Sequence, residues 1–231
     1  MSATVRVYSG NGMSASLGEL LPQFERAHGC KVDVTFAPAQ VMLREVKAGR
    51  TADLGLIGSG VMEQVVRLGY IVPGSVRVLT RNGIGVGVLA GAPRPDLVSV
   101  ESFKRALLNA KSVAYTTEGA SGIYFAGLIE RLGIAEPIKA RAKTRSGGLI
   151  AEFVVSGDAD IAVQQIPEIM AVAGVDYVGP LPAEIQNITV GTAGIFTDAK
   201  EPQLAQALLD FLQSTEAAHV FRARGLEPEN N

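Results

Sequence analysis

The sequence predicts an α/β fold, because two hydrophobic patterns alternate along most of the chain. Short apolar runs rich in β-branched residues are followed by stretches in which apolar residues recur every three or four positions, as on one helix face. Repeated units of this kind are typical of sheets flanked by helices. The composition fits a packed core, since 47% of the 231 residues are hydrophobic and 19% are charged.

The first strand and helix establish the pattern. Residues 5–8 form an apolar run, a loop of small residues follows, and a helical pattern covers residues 16–27. Pro22 lies inside that pattern and predicts either a kink or a later helix start. Further strands are predicted at residues 32–36, 54–57, 83–89, 112–115, 138–142, 160–163, 176–178 and 188–196. Further helices are predicted at 40–48, 61–68, 100–108, 122–132 and 149–156, with one long helix or two consecutive ones over 202–224.

Two predicted strands, near 83–89 and 189–196, are unusually long and rich in Gly and β-branched residues. Each is long enough to cross between two lobes. That interpretation predicts a discontinuous first lobe of residues 1–83 and 195–231 and a second lobe of residues 84–194. The alternative is that both are central strands of one sheet, since 231 residues suit either one large domain or two lobes of about 100 residues.

Charge and composition exclude several classes of function. The net charge of −2 and the lack of a dense Lys/Arg cluster argue against nucleic acid and anionic membranes as partners. Cys30 is the only cysteine, and His28 and His219 are the only histidines, so we expect no disulfide, no metal and no Ser/His/Asp triad. No segment has the pattern of a bilayer span. No cofactor is indicated.

The N-terminal residues lack the basic stretch and long apolar core of a secretory signal. Two localisations stay open at this point. The protein is cytoplasmic as the sequence stands, or it is periplasmic and a leader was removed.

The loop Ser9-Gly10-Asn11-Gly12 is the first candidate ligand site. A loop of small residues before a helix leaves backbone N–H groups uncovered at the positive helix end, where an anion can bind. The chain has neither a P-loop lysine motif nor a G-x-G-x-x-G motif, so nucleotide binding is not indicated.

Several short motifs follow in a familiar order. After the first strand, loop and helix come the segment 20–29 before a strand, the segment 47–54 ending in Ala52-Asp53-Leu54, the tripeptide 122–124 and the segment 157–162. Together they resemble the type II periplasmic solute-binding proteins, in particular the molybdate-binding proteins of ABC transporters. The resemblance implies two lobes, each a central mixed sheet flanked by helices, that close over an anion in the cleft between them.

The resemblance also carries the family's ligand positions onto this chain: Gly12, then Ala39 or Gln40, then Ser121, Gly147 and Gln165. Molybdate binders usually have serines at the first two positions and a tyrosine at the last, so their loss argues against tetrahedral molybdate. Amides and a guanidinium suit an organic di- or tricarboxylate, because Arg can bind a carboxylate with two hydrogen bonds. The candidate ligand residues are Ser9, Gly10, Asn11, Gly12, Ala39, Gln40, Ser59, Thr116, Ser121, Tyr124, Arg145, Ser146, Gly147 and Gln165.

Two of these candidate ligand residues, and the nearby Glu168, have a second interpretation. Arg145 could be a surface residue, and packing is the default role of Tyr124. Glu168 could cap the helix that follows it or pair with Arg145.

The leading functional hypothesis is the binding of a small anion without chemistry, by a monomer whose further partner, if it is exported, is a membrane permease. The alternative is a cofactor-independent isomerase of the aconitate isomerase type, which the resemblance brings in. Allylic proton transfer needs a base, and Glu118 and Glu168 are the candidates. A cytoplasmic ligand sensor is a third hypothesis.

Overall fold

A computed structural model describes residues 2–229, and the chain forms two compact units. Unit 1 contains the residues up to Asn82 together with those from Thr189 onward, and unit 2 is Gly83–Ile188. Each unit has its own mixed sheet with helices packed against it. The α/β prediction is therefore confirmed, and the single-sheet alternative is wrong.

The elements are numbered in chain order. The strands are β1 (Thr4–Ser9), β2 (Lys31–Phe36), β3 (Leu54–Gly58), β4 (Arg77–Asn82), β5 (Ile84–Leu89), β6 (Val113–Thr116), β7 (Ala142–Arg145), β8 (Ile161–Gln165), β9 (Val175–Pro180), β10 (Thr189–Ile195) and β11 (Glu227–Pro228). The helices are α1 (Ser14–His28), α2 (Ala39–Lys47), α3 (Ser59–Arg67), α4 (Val100–Asn109), α5 (Ala120–Arg131), α6 (Ala135–Lys139), α7 (Glu152–Val155), α8 (Ile166–Met170), α9 (Pro202–Leu212) and α10 (Thr215–Ala223).

The unit 1 sheet has the order β11-β4-β10-β3-β1-β2. Strand β1 runs parallel to both β2 and β3, whereas β10 is antiparallel to β3 and β4. Alternating residues of β1 face opposite sides, so Val7 packs with α1, α9 and α10 while Tyr8 packs with α2 and α3. The carboxyl ends of β1, β2 and β3 consequently meet at one edge, which we call the unit 1 loop edge.

The unit 2 sheet has the order β7-β6-β8-β5-β9, with β6 parallel to β7 and β8. Phe103, Phe125 and Ile138 pack α4, α5 and α6 on one face, and Val154 packs α7 on the other. Burial of side chains of this size stabilises a fold by about 1.5–3 kcal/mol each. The carboxyl ends of β6, β7 and β8 meet at one edge, the unit 2 loop edge.

The predicted lobe boundaries need one correction. Strand β10 pairs with β3 and β4 along its length, so residues 189–194 belong to unit 1 and not to the second lobe. The chain passes from one unit to the other between Asn82 and Gly83 and again between Ile188 and Thr189.

Other differences are local. The segment predicted as a strand at 138–142 is instead the end of the short helix α6, a turn and the first residue of β7, and Ala135 and Ile138 of α6 both reach the core. Strand β4 was not predicted, since the charged Arg77 and Arg81 on its exposed side hide its pattern. Helix α1 begins at Ser14 and continues through Pro22, so the later start is wrong.

Within residues 2–229 no helix is both long enough and apolar enough to cross a membrane. The same part of the chain brings together no group of three or more Cys, His, Asp or Glu residues in a metal-binding arrangement.

Candidate functional site

The helices at the two loop edges begin without the usual stabilising partners. Within residues 2–229, helices α1, α2, α3 and α5 have no side-chain cap and no acidic residue in their first turn. By contrast, Ser99 caps α4, Ser214 caps α10, and the Asp53 carboxylate accepts hydrogen bonds from the first N–H groups before α9. Uncapped helix ends carry partial positive charge. The four uncapped ends therefore give both loop edges a potential that favours an anion.

In unit 1 the first of these ends follows β1. The Gly10 N–H donates to Leu56 O at 3.0 Å, and the Ser9 hydroxyl donates to Gly10 O at 3.1 Å. These two residues therefore tie the loop to β3, and Ser9 is fully buried. The half-buried turn Asn11–Met13 then leads into α1. Of the four predicted loop residues, Asn11 and Gly12 are the two nearest the N-terminus of α1.

The other two ends of unit 1 lie beside the first. Ala39 is the first residue of α2 and Gln40 the second, immediately after β2. Ser59 opens α3, directly after β3. Because β1, β2 and β3 are parallel neighbours, the structure brings these predicted residues to the same edge as Asn11.

In unit 2, α5 begins unusually close to the end of β6. A Cβ on Gly122 would lie 1.8 Å from Thr116 O, and one on Gly119 would lie 2.6 Å from Thr116 Oγ1. Only glycine permits this approach. The Thr116 hydroxyl is buried and has no hydrogen-bond partner among the described residues, and Ser121 is buried in the first turn of α5. Thr116 therefore helps to position the α5 end, where Ser121 lies.

Arg145 binds its own loop. The guanidinium donates to Leu149 O and to the Glu152 carboxylate at 2.8 Å, and lies 5.4 Å from the centre of the Phe153 ring. Gly148, at φ +84°, lets the chain turn over this guanidinium. Thus Arg145 shapes the turn that carries Ser146 and Gly147, and its ion pair is with Glu152 rather than Glu168.

The turn at residues 146–150 is held from the other side by Gln164. The Gln164 Oε1 accepts from the Ile150 N–H at 2.9 Å, and Nε2 donates to Gly148 O at 2.7 Å. Gln164 is almost fully buried, and both of these hydrogen bonds go to backbone atoms of the turn. Its one visible signal in the sequence is an amide at the end of an apolar strand.

Glu168 lies in the first turn of α8. The capping role of Glu168 stays a prediction. Desolvation by burial raises the pKa of Glu168 from 4.5 to about 8, against a smaller opposing effect of the Gln164 side chain and the Gln165 backbone. The group can therefore exchange a proton near neutral pH.

The remaining predicted residues are placed differently. The Tyr124 hydroxyl donates to Ile185 O at 2.9 Å, and Arg131 lies over its ring, so Tyr124 packs against the body of unit 2. Glu118 is half-buried in the loop before α5, with its N–H bonded to Ser146 O at 3.1 Å. Sequence reasoning missed Ser16, whose buried hydroxyl in the first turn of α1 has no hydrogen-bond partner in the part of the chain that the structure describes. No sequence signal separates it from a core serine.

Each of the two α/β units therefore has uncapped helix ends at the carboxyl edge of its parallel strands. The chain matches the model of the bacterial extracellular solute-binding proteins over residues 5–227 and belongs to that family. The predicted resemblance to type II periplasmic solute-binding proteins is confirmed.

Two relatives indicate the range of functions near this chain. The aconitate isomerase of a Pseudomonas species is 30% identical over 97% of this chain and 88% of its own length. The molybdate-binding protein of Azotobacter vinelandii is 26% identical over 97% of this chain and 90% of its own length. Among solved structures, the Azotobacter vinelandii periplasmic molybdate-binding protein superposes with a TM-score of 0.81 at 18% identity, covering 98% of this chain and 100% of that one. The sulfate-binding protein of Mycobacterium tuberculosis gives 0.78 at 15% identity, covering 99% and 88%. At these identities the structures support the fold alone.

Proposed function

We propose that the protein binds a small organic di- or tricarboxylate through the loop edges of its two units. The uncapped, acid-free ends of α1, α2, α3 and α5 carry this proposal, because they offer neutral donors and positive potential to an anion. Amide and hydroxyl side chains at the same edges, such as Asn11, Gln40 and Ser121, suit a ligand with several oxygens.

Calorimetric titration with citrate, both aconitates, molybdate and sulfate tests the proposal. We expect binding of at least one carboxylate and none of molybdate, since Gly12, Ala39 and Gln165 replace the hydroxyl residues that the resemblance implies for molybdate binders. Binding of molybdate alone would overturn the ligand class.

A negative charge placed at one uncapped helix end tests whether these helix ends bind the anion. The substitution Ala39→Asp adds a carboxylate in the first turn of α2 and should weaken anion binding about tenfold or more by repulsion. Thr215→Asp puts the same group in the first turn of α10, away from the loop edges, and should leave affinity unchanged. Equal effects of the two substitutions would contradict the site.

A second candidate function is an isomerase of the same ligand class. The buried Glu168, with its pKa raised to about 8, favours this function, because a general base works best when its pKa is near the working pH. The similarity to an aconitate isomerase supports it. In this mechanism the Glu168 carboxylate takes a proton from the methylene carbon next to the double bond. The C–H electron pair forms the delocalised allylic anion, and the proton returns at its other end. Backbone N–H groups stabilise the charge on the adjoining carboxylate.

Proton NMR of each aconitate isomer with the protein distinguishes the two functions. An isomerase interconverts them, and Glu168→Gln abolishes turnover while the ligand still binds. Loss in Glu118→Gln instead would assign the base to Glu118. An unchanged ligand leaves binding as the function.

Family membership also bears on location and partners. Members of this family are usually periplasmic, which favours the exported alternative and a permease as the further partner. Pull-down of the exported protein with membrane fractions tests this part.

A further inference from the structure

The turn at residues 146–150 of unit 2 uses its carbonyl groups and its N–H groups differently. Four carbonyl oxygens in the turn and directly before it accept hydrogen bonds from the protein, those of Arg145, Ser146, Gly148 and Leu149. In the part of the chain that the structure describes, three N–H groups of the same turn donate no hydrogen bond, those of Gly147, Gly148 and Leu149. The acceptors of the turn are therefore occupied, while its donors are available to a ligand.

Two of the four carbonyl groups bind the loop that leads into α5. The Thr117 N–H donates to Arg145 O at 2.9 Å, and the Glu118 N–H donates to Ser146 O at 3.1 Å. The 146–150 turn and the start of α5 are thus joined by two backbone hydrogen bonds. A change in the turn will consequently reach both parts of the unit 2 loop edge.

Side chains hold the other two carbonyl groups. The Arg145 guanidinium donates to Leu149 O, and Gln164 Nε2 donates to Gly148 O at 2.7 Å. Gln164 also accepts from the Ile150 N–H through Oε1 at 2.9 Å, and with 1% of its surface exposed it is shielded from water. Because a trans peptide group is planar, a Gly148 carbonyl drawn towards Gln164 points the Leu149 N–H the opposite way. The Gln164 amide therefore determines which side of this peptide group faces away from the protein.

We propose that Gln164 is a positioning residue for anion binding, because it keeps the Gly148 carbonyl turned into the protein and leaves the N–H groups of the 146–150 turn for the ligand. This inference rests on the proposed function, since it concerns how the same site binds its anion. Successive backbone N–H groups attract an anion, whereas a carbonyl oxygen repels it. Without the Gln164 donor, the Gly148 carbonyl can turn towards the loop edge, and an acceptor then replaces a donor there.

Amide hydrogen exchange measured by NMR tests the link between Gln164 and the turn without any ligand. In the wild-type protein the Ile150 N–H should exchange slowly, and the N–H groups of Gly147 and Gly148 should exchange rapidly. In Gln164→Met the exchange of the Ile150 N–H should become about tenfold faster, beyond any change in the rest of β8, because its acceptor is lost. Equal rates for the Ile150 N–H in the two proteins would overturn the inference.

The affinity for the carboxylate found by calorimetry tests the positioning role itself. At about pH 5 the dissociation constant of Gln164→Met should exceed that of the wild-type protein about tenfold. In Gln164→Glu a buried carboxyl group keeps its proton at this pH. The neutral acid has nearly the shape of the amide, and it can accept from the Ile150 N–H and donate its O–H to Gly148 O. Gln164→Glu should therefore bind like the wild type, and an affinity as low as that of Gln164→Met would show the inference to be wrong.

Gln186→Met is the matched control for lost hydrogen bonds. The Gln186 amide also bonds two backbone groups of unit 2, since it accepts from Ile84 N–H and donates to Ile84 O, both at 2.9 Å. This substitution should destabilise the protein to a similar degree and leave the affinity and the exchange of the Ile150 N–H unchanged. If it weakens binding as much as Gln164→Met does, lost stability explains both results and the inference is wrong. Failure of every carboxylate to bind the wild-type protein would refute the proposed function and the effect on affinity, whereas faster exchange of the Ile150 N–H in Gln164→Met would still support the link from Gln164 to the turn.

Discussion

The substitution Glu168→Gln should change how stability depends on pH. Glu168 is a buried carboxyl group, and desolvation by burial raises its pKa from 4.5 to about 8. The folded protein therefore keeps a proton that the unfolded chain releases near pH 4.5. The stabilisation is complete below that pH and is lost as the pH rises through 8.

The size of this effect follows from the shift. One pKa unit corresponds to 1.36 kcal/mol, so a shift of about 3.5 units gives ~4 to 5 kcal/mol between the two ends of the range. Glutamine is neutral at every pH and lacks this loss. The difference in the free energy of unfolding between Glu168→Gln and the wild-type protein should therefore increase, in favour of the variant, by about 1.4 kcal/mol for each pH unit from 5 to 8.

Urea unfolding followed by far-ultraviolet circular dichroism measures this difference, since the chain has no tryptophan. Glu136→Gln, on an exposed residue of α6 in the same unit, provides the control and should give a curve parallel to the wild type. If the curves of Glu168→Gln and the wild type are parallel between pH 5 and 8, Glu168 is not a buried neutral acid and the reasoning fails.

Four further substitutions test how the elements are held. Asp53→Asn should lower the free energy of unfolding by about 3 to 5 kcal/mol, because the buried carboxylate pairs with a guanidinium and accepts backbone N–H groups before α9. The pKa of Asp53 is lowered, so this stabilisation is present near neutral pH and is lost in acid. An acid-unfolding midpoint shared by Asp53→Asn and the wild type would contradict this role. Gly122→Ala should prevent normal folding of unit 2, because its Cβ would lie 1.8 Å from Thr116 O. Gly127→Ala in the same helix meets its nearest atom at 3.6 Å and should stabilise the protein by about 0.5–1 kcal/mol, as melting temperatures will show. Ser214→Ala should cost about 1 kcal/mol through loss of the α10 cap, and an unchanged urea midpoint would argue against that bond.

The fold was accessible from the sequence because hydrophobic periodicity reports burial directly. Strands such as 54–57 and helices such as 100–108 are marked by residues that reach the core. The segment 138–142 was wrongly predicted as a strand. It is short and contains the apolar Ile138, and a stretch of this length has too few residues for its pattern to distinguish a helical turn from a strand. The assignment of β10 to unit 1 depends on which strands it pairs with, and pairing partners leave no mark in one sequence.

The candidate site was accessible only in part. Small-residue loops after strands are visible in sequence, and the loop 9–12 and the start of α2 were found this way. The engagement of Arg145 with Glu152 was not visible, because it depends on a turn that Gly148 makes possible at φ +84°. The hydrogen bonds of Gln164 to the Ile150 N–H and the Gly148 carbonyl were not visible for a related reason. Ile150 and Gly148 lie 14 and 16 positions away in the chain, and no local pattern contains such partners.

The two candidate functions place opposite demands on Glu168, and this decides between them. A binder of anions needs the neutral form, because a charge in the first turn of α8, three residues after Gln165, repels the ligand. An isomerase that uses Glu168 as its base needs the ionised form in the free protein, so kcat/KM should rise through the pH at which affinity falls. Both effects report the same titration and should share one inflection near pH 8. A falling affinity without turnover at any pH is therefore the signature of a binding protein, whereas opposed profiles with a common inflection assign both the chemistry and its base to Glu168.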